Sequence, residues 1–349
     1  MEVSPSPEPV IPPRRWPRFD PHAMLGLGLC GLAWGVAIAP QRQPLEGTLR
    51  LSGLSFVLQP RSGETGSPAQ GFLAVPLRGL TIKGLAEGAP LVVPFSSQRL
   101  ALNGGSGLSL TASTADPLEV RIALPPGTRV QSLQPEGKDQ LVLDLLPPSR
   151  GGQPVPAELT IIPPAGVTTA NSTAMGAVFQ VPGRPEQRIS PPDSQFSLPL
   201  TGATRLRLQR ANPKRAVVFE SNLPVAEVRF TTERQSLFDQ TPITFSTLRS
   251  GTLHLGRQAP LNLRPDQFLQ IDPPGITVLT SLRTDQDQLA LEVVGQTQRI
   301  RSGLSLQHPT TVQQGTLLSR LLTPEQISGF FGFLAGVMSS LLLSLLKGE

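Results

Sequence analysis

Cysteine is almost missing from this chain of 349 residues: Cys30 stands alone, so there is no intramolecular disulfide and no cysteine metal cluster. Histidine is nearly as scarce. His22, His254 and His308 are scattered, and no HxxH or HExxH spacing exists, which removes the usual zinc sites. Neither a GxSxG elbow nor a GxxxxGK[ST] phosphate loop occurs, so serine-hydrolase and P-loop chemistry lack their anchors. A GxGxxG match at Gly26, Gly28 and Gly31 follows no strand and lies in an apolar segment, where helix packing explains it. The expectation is a protein that is not an enzyme and holds no metal or cofactor.

Lysine is also rare, with only Lys83, Lys138, Lys214 and Lys347, so the formal charge of +5 rests on arginine. Surface arginine is mostly solvated, and no nucleic-acid partner follows from it. Charged residues make up only 16% of the chain, whereas Pro (38) and Gly (33) are abundant. That balance suits many short strands joined by turns.

Two uncharged runs stand out. Residues 23–39 follow Arg14, Arg15 and Arg18, and 17 residues of helix span about 25 Å, short but sufficient for a bilayer core. Ala37-Ile38-Ala39 resembles a signal-peptide cleavage site, but Pro40 just after it is a poor substrate, which favours an uncleaved anchor. A lipoprotein reading of Cys30 fails because Leu29, rather than a small residue, precedes it. Residues 327–346 are 20 uncharged residues, about 30 Å of helix, opened by Thr323-Pro324-Glu325-Gln326, a cap followed by proline at the first helical position. The basic flank before the first run and Lys347 after the second predict a two-pass membrane protein with cytoplasmic termini and a periplasmic or lumenal middle. Small residues recur along the second run at Ser328, Gly332, Gly336 and Ser340, and Gly31 with Gly35 gives a matching spacing in the first. In lipid such spacing permits close helix packing, within the chain or between copies.

Between the runs, period-two alternation in Thr48-Leu49-Arg50-Leu51, Leu80-Thr81-Ile82-Lys83, Leu118-Glu119-Val120-Arg121-Ile122 and Leu261-Asn262-Leu263 marks half-buried strands. One stretch occurs twice. Pro125-Pro126-Gly127, Val130, Asp139-Gln140-Leu141 and Leu143 recur 148 residues later as Pro273-Pro274-Gly275, Val278, Asp287-Gln288-Leu289 and Leu291, with eight of 21 aligned positions identical. Ser132-Leu133 and Ser281-Leu282 match only if one residue slips, as a bulge permits. The expected fold class is mainly β, with tandem antiparallel sandwich or barrel-like modules between two transmembrane helices. In this reading residues 1–22 are a disordered proline-rich cytoplasmic tail, 23–39 the first span and 45–148 the first module. Residues 149–222 hold a linker and a hairpin around Asn212-Pro213, 223–308 the second module and 326–346 the second span.

Asp285 and Asp287 read as turn residues, and His254, between Leu253 and Leu255, as a surface strand residue. The densest charge feature is Arg205, Arg207, Arg210, Lys214 and Arg215, five cations in 11 residues with no acid among them. They are the candidate contact for an anionic lipid surface or an acidic envelope polymer. The functional expectation is a non-enzymatic scaffold or assembly protein, held in the lipid bilayer and bound to a protein partner in the envelope. The alternative is an accessory subunit of a lipid or polysaccharide export system, which needs an apolar groove between open sheet edges.

Overall fold

The structure is a computed structural model that describes residues 38–59, 70–85, 91–95, 98–112, 117–162, 175–189, 196–212, 214–219, 222–236, 240–305 and 307–347, with Gly28, Gly31 and Gly35. The expected tail 1–22 lies outside the described residues, as does the first span apart from Gly28, Gly31, Gly35, Ile38 and Ala39. The chain divides into two units, residues 41–315 and the two flanking ends together.

The unit of residues 41–315 is mainly β, and its large sheets are antiparallel, as the alternation predicts. Its described residues form 26 strands, β1 to β26 in chain order, of which 17 share one hydrogen-bonded network. The two copies of the sequence repeat are two hairpins. In the first, β8 (Arg129–Glu136) pairs with β9 (Gln140–Leu146); in the second, β23 (Gly275–Asp285) pairs with β24 (Gln288–Thr297). Leu133 stands opposite Leu143 and Leu282 opposite Leu291. Each hairpin has a register shift just before its Ser-Leu pair, between Val130 and Ser132 and between Leu279 and Ser281. The one-residue slip has a physical origin. A second shift, between Ile276 and Val278, absorbs an extra residue in β23, and the Asp285–Gln288 turn is one residue shorter than the Glu136–Gln140 turn.

The strands flanking these hairpins extend the symmetry. The inner neighbour of β8 is β2 (Leu54–Leu58), that of β23 is β17 (Leu223–Arg229), and β2 and β17 pair with each other. The outer neighbour of β9 is β16 (Thr204–Arg210), and that of β24 is β1 (Gln43–Leu51). Leu49-Arg50-Leu51 lies against Leu291, Ala290 and Leu289, while Leu206-Arg207-Leu208 lies against Leu143, Val142 and Leu141. The same Leu-Arg-Leu therefore sits at the same place in both copies, and all eight leucines are buried. Ion pairs repeat as well: Arg50 reaches Asp285 at 3.6 Å and Arg207 reaches Glu136 at 3.0 Å. These pairs are half exposed and add little stability, but they mark equivalent positions.

The repeat is thus two pairs of elements related by a pseudo-twofold axis at β2 and β17, with the outer strands exchanged. β1 precedes the first hairpin in sequence yet completes the sheet of the second; β16 precedes the second and completes the first. Residues 45–148 and 223–308 are therefore interlaced rather than strung in tandem. The segment 149–222 also carries sheet strands: β12 (Ala157–Ile162) pairs with β7 (Leu118–Leu124). The expected hairpin of 204–209 with 216–219 does not form, because β3 (Gln70–Gly84) and β9 already occupy both edges of β16. Instead Phe219 N–H donates to Leu282 O, and Thr284 N–H to Val217 O, each at 2.9 Å, along β23. Phe72, fully buried, joins this segment to β2, with ring centroids 5.2 Å from Phe219 and 6.0 Å from Phe56.

In the other unit, the helix Pro324–Lys347 begins at the expected cap: Gln326 N–H donates to Thr323 Oγ1 at 3.4 Å and Thr323 N–H to Gln326 Oε1 at 3.0 Å. It contains the whole expected second span, but among the described residues no helix is long and apolar enough to cross a membrane.

Exchange of β1 demands close approach to its other neighbour, β20 (Leu248–Leu255). Gly47 faces Leu253 and Gly251 faces Leu49, each glycine leaving room for the opposite leucine. A Cβ on Gly47 would stand 2.4 Å from Thr252 O and 2.5 Å from Leu253 Cδ2. Gly47→Ala should therefore destabilise the domain by about 3 kcal/mol through overpacking, seen as a lowered urea midpoint, whereas Thr48→Ala on the exposed face should change it by less than about 0.5 kcal/mol.

Candidate functional site

The five-cation cluster is dispersed by the fold. Arg205 and Arg207 share the exposed face of β16 as expected, but each finds an acid from another strand. Arg205 makes a two-pronged pair with Asp144, Nε to Oδ1 at 2.7 Å and Nη2 to Oδ2 at 2.8 Å. Asp144 is only 9% exposed, and its hydrogen bond raises the Arg205 pKa above its ordinary value. Lys214 and Arg215 are exposed on the turn capped by Asn212, whose Oδ1 accepts from Lys214 N–H at 2.9 Å. Within the cluster, only these two remain as candidates for an anionic surface.

Arg210 does something the sequence did not signal. It is 3% exposed, and its guanidinium donates from Nη2 to the carbonyls of Lys138 and Gln286, the latter at 3.2 Å. Lys138 lies in the turn of the first hairpin and Gln286 in the turn of the second, so one side chain ties the two copies together. Its backbone N–H also donates to Asp139 O at 2.7 Å. Burial lowers the Arg210 pKa and the nearby Asp139 raises it, with burial the larger. Gln286, at φ 56°, is a non-glycine residue in the left-handed region, and the hydrogen bond to its carbonyl helps hold that turn.

An open groove of 580 Å³ lies on the polar face of β16, β9, β8, β2 and β17. Its floor carries the Arg205–Asp144 pair, Arg129, and Glu227 paired with Arg229. Its wall is β18 (Thr231–Gln235), one strand of a hairpin with β19 (Pro242–Ser246). A second groove of 430 Å³ lies on the pseudo-equivalent face, where Thr48 opposite Glu292 replaces Arg205 opposite Asp144. Sequence reading missed Arg129, Arg229 and β18. The available signal was Thr-Thr-Glu-Arg-Gln, a strand with no apolar face and hence one that stands out of the core.

Asp285 closes the second hairpin opposite Gln288, and His254 is exposed on β20, both as read from sequence. Among the described residues no group of three His, Cys, Asp or Glu could hold a metal. Ser328, Gly332, Gly336 and Ser340 are exposed on their helix, and no described atom lies within 4 Å of a Cβ built on Gly31, Gly35, Gly332 or Gly336. The small-residue stripes are not brought together among the described residues.

A second charge network centres on the partly buried Asp272, which accepts from Arg299 Nε at 2.8 Å and Arg301 Nη2 at 3.0 Å. Burial pushes its pKa up, but the two arginines outweigh that and hold it below the ordinary carboxylate value. A depressed folded pKa stabilises the fold above the unfolded value of about 3.9 and ceases to do so as pH falls through the folded one. Asp272→Asn should therefore cost about 1–2 kcal/mol at pH 7, and the gap in urea midpoint between wild type and variant should close on acidification below about pH 4. Arg210→Ala should be worse, about 3 kcal/mol at neutral pH, since two turn carbonyls lose their donor. No protein-family model matches the chain, and no curated protein and no solved structure shows significant similarity to it.

Proposed function

We propose that the chain is a membrane-anchored scaffold whose β domain, residues 41–315, stands outside the cytoplasm and recruits a protein partner in the envelope. The observation that carries this reading is the closeness of the domain's two chain ends. Gln41 N–H donates to Gly315 O at 2.9 Å, and Gly315 N–H to Gln298 O at 2.8 Å. The first and last residues of the domain therefore lie side by side, an arrangement that suits a head carried by two membrane helices. Membrane attachment itself rests on the uncharged length of those segments, about 30 Å of helix in the second.

Recruitment, rather than lipid carriage, is favoured by the grooves. Both are open and lined largely by Arg, Glu, Gln, Ser and Thr, whereas an acyl chain needs an apolar channel. An open polar face on a rigid sheet is a surface for a macromolecule.

Alkaline phosphatase fusions test the topology. A fusion at Gly151, in an exposed turn, should be active and one after Glu349 inactive. The reverse pattern would overturn the two-pass arrangement.

A further inference from the structure

The β18–β19 hairpin projects from the sheet with little core of its own. Ile243 and Phe245 are each 44% exposed, and Arg234 lies over the Phe245 ring at 5.8 Å from its centroid. An isolated two-stranded hairpin is marginal in water, and this one is tied down at its base, where Thr247 N–H donates to Phe230 O at 2.9 Å, so an added strand would reinforce it. The groove shows on which side. Thr231, Thr232, Glu233 and Arg234 all line it, four successive residues whose side chains alternate between faces. A cavity that touches both faces of a strand runs along its backbone edge. No strand β19 residue lines the groove, and β18 pairs only with β19 among the described residues. The open edge of β18 therefore faces the groove with its outward N–H and C=O groups unpaired, a template for one more strand.

The floor opposite that edge selects by charge. Arg205 is neutralised by Asp144 and Arg229 by Glu227, but Arg129, exposed on β8 between them, has no carboxylate partner among the described residues. The lining holds Arg129, Arg205, Arg229 and Arg234 against Asp144, Glu227 and Glu233, so it is net positive: an acidic side chain entering the groove would meet Arg129 directly, whereas a basic one would add to the excess. We infer that the groove binds an extended acidic segment of a partner protein, which adds as a strand to the open edge of β18 and sets a carboxylate against Arg129. This deepens the scaffold reading and relies on it only for the place where the partner is met.

Binding is tested on the full chain in mild detergent, with a fluorescein-labelled peptide Thr-Glu-Val-Glu-Val-Glu-Thr and its counterpart with lysine in place of glutamate. The acidic peptide should bind at least about tenfold more tightly by anisotropy, and the preference should weaken with salt. It should also slow hydrogen exchange at backbone amides of residues 231–235. Arg129→Glu should remove the preference for the acidic peptide while circular dichroism and the urea midpoint stay unchanged, since its side chain is exposed. Equal affinity for both peptides, absence of binding, or binding without protection of 231–235 would overturn the proposal. So would protection of 231–235 that rises with protein concentration in the absence of peptide, because a second copy of the chain would then be the natural occupant. Failure of the topology test leaves these readings untouched, and the converse holds.

Discussion

The exchange of outer strands between the two copies constrains everything else in the domain. Each hairpin has an inner and an outer edge, and the outer edge of each is covered by a strand that belongs, in sequence, to the other copy. β1, at the start of the domain, supplies the edge for β24, more than two hundred residues away, and β16 supplies it for β9. The buried leucines of both copies then meet in one core that includes Leu49, Leu51, Leu206 and Leu208. Neither half can bury its apolar face without a strand from the other, so the domain is expected to be a single cooperative unit. Arg210 fits this logic. A buried guanidinium is costly unless its donors are used, and two of its acceptors belong to the turns that the symmetry relates.

Interlacing also shapes the surface that remains for function. Because β1 opens the domain and the segment ending at Gly315 closes it beside Gln41, the two chain ends converge, and the grooves are left open. The copies have diverged where they face solvent. The core positions keep leucine in both, but the Arg205–Asp144 pair in one groove becomes Thr48 and Glu292 in the other, and only the first is walled by the β18–β19 arm among the described residues. The two copies thus share their core leucines and differ in the polar residues of their open faces.

Much of this was legible in the sequence. Period-two alternation located β1, β7 and the C-terminal half of β3, and the Pro-Pro-Gly repeat located both hairpins. The cap at Thr323 was readable because capping depends on four adjacent residues. Strand partnership was not readable. Alternation says which face of a strand is buried, not which strand lies beside it, so residues 204–209 looked free to pair with 216–219 when β3 and β9 already flanked them. Charge misled for a related reason: the five-cation cluster has no acid nearby in sequence, yet Asp144 and Glu136 reach it across the sheet. Arg210 reads as one more surface cation because nothing local distinguishes a buried arginine from a solvated one.

Native-state hydrogen exchange measures the interlacing most directly. With amides followed through low denaturant, β9 and β24 should lose protection together, at the free energy of global unfolding, because each is held by a strand from the other half. If the sheet of β1, β20 and β24 opened in a separate transition of lower free energy while β9 and β16 stayed protected, the domain would be two independent modules and the exchanged-strand account would fail.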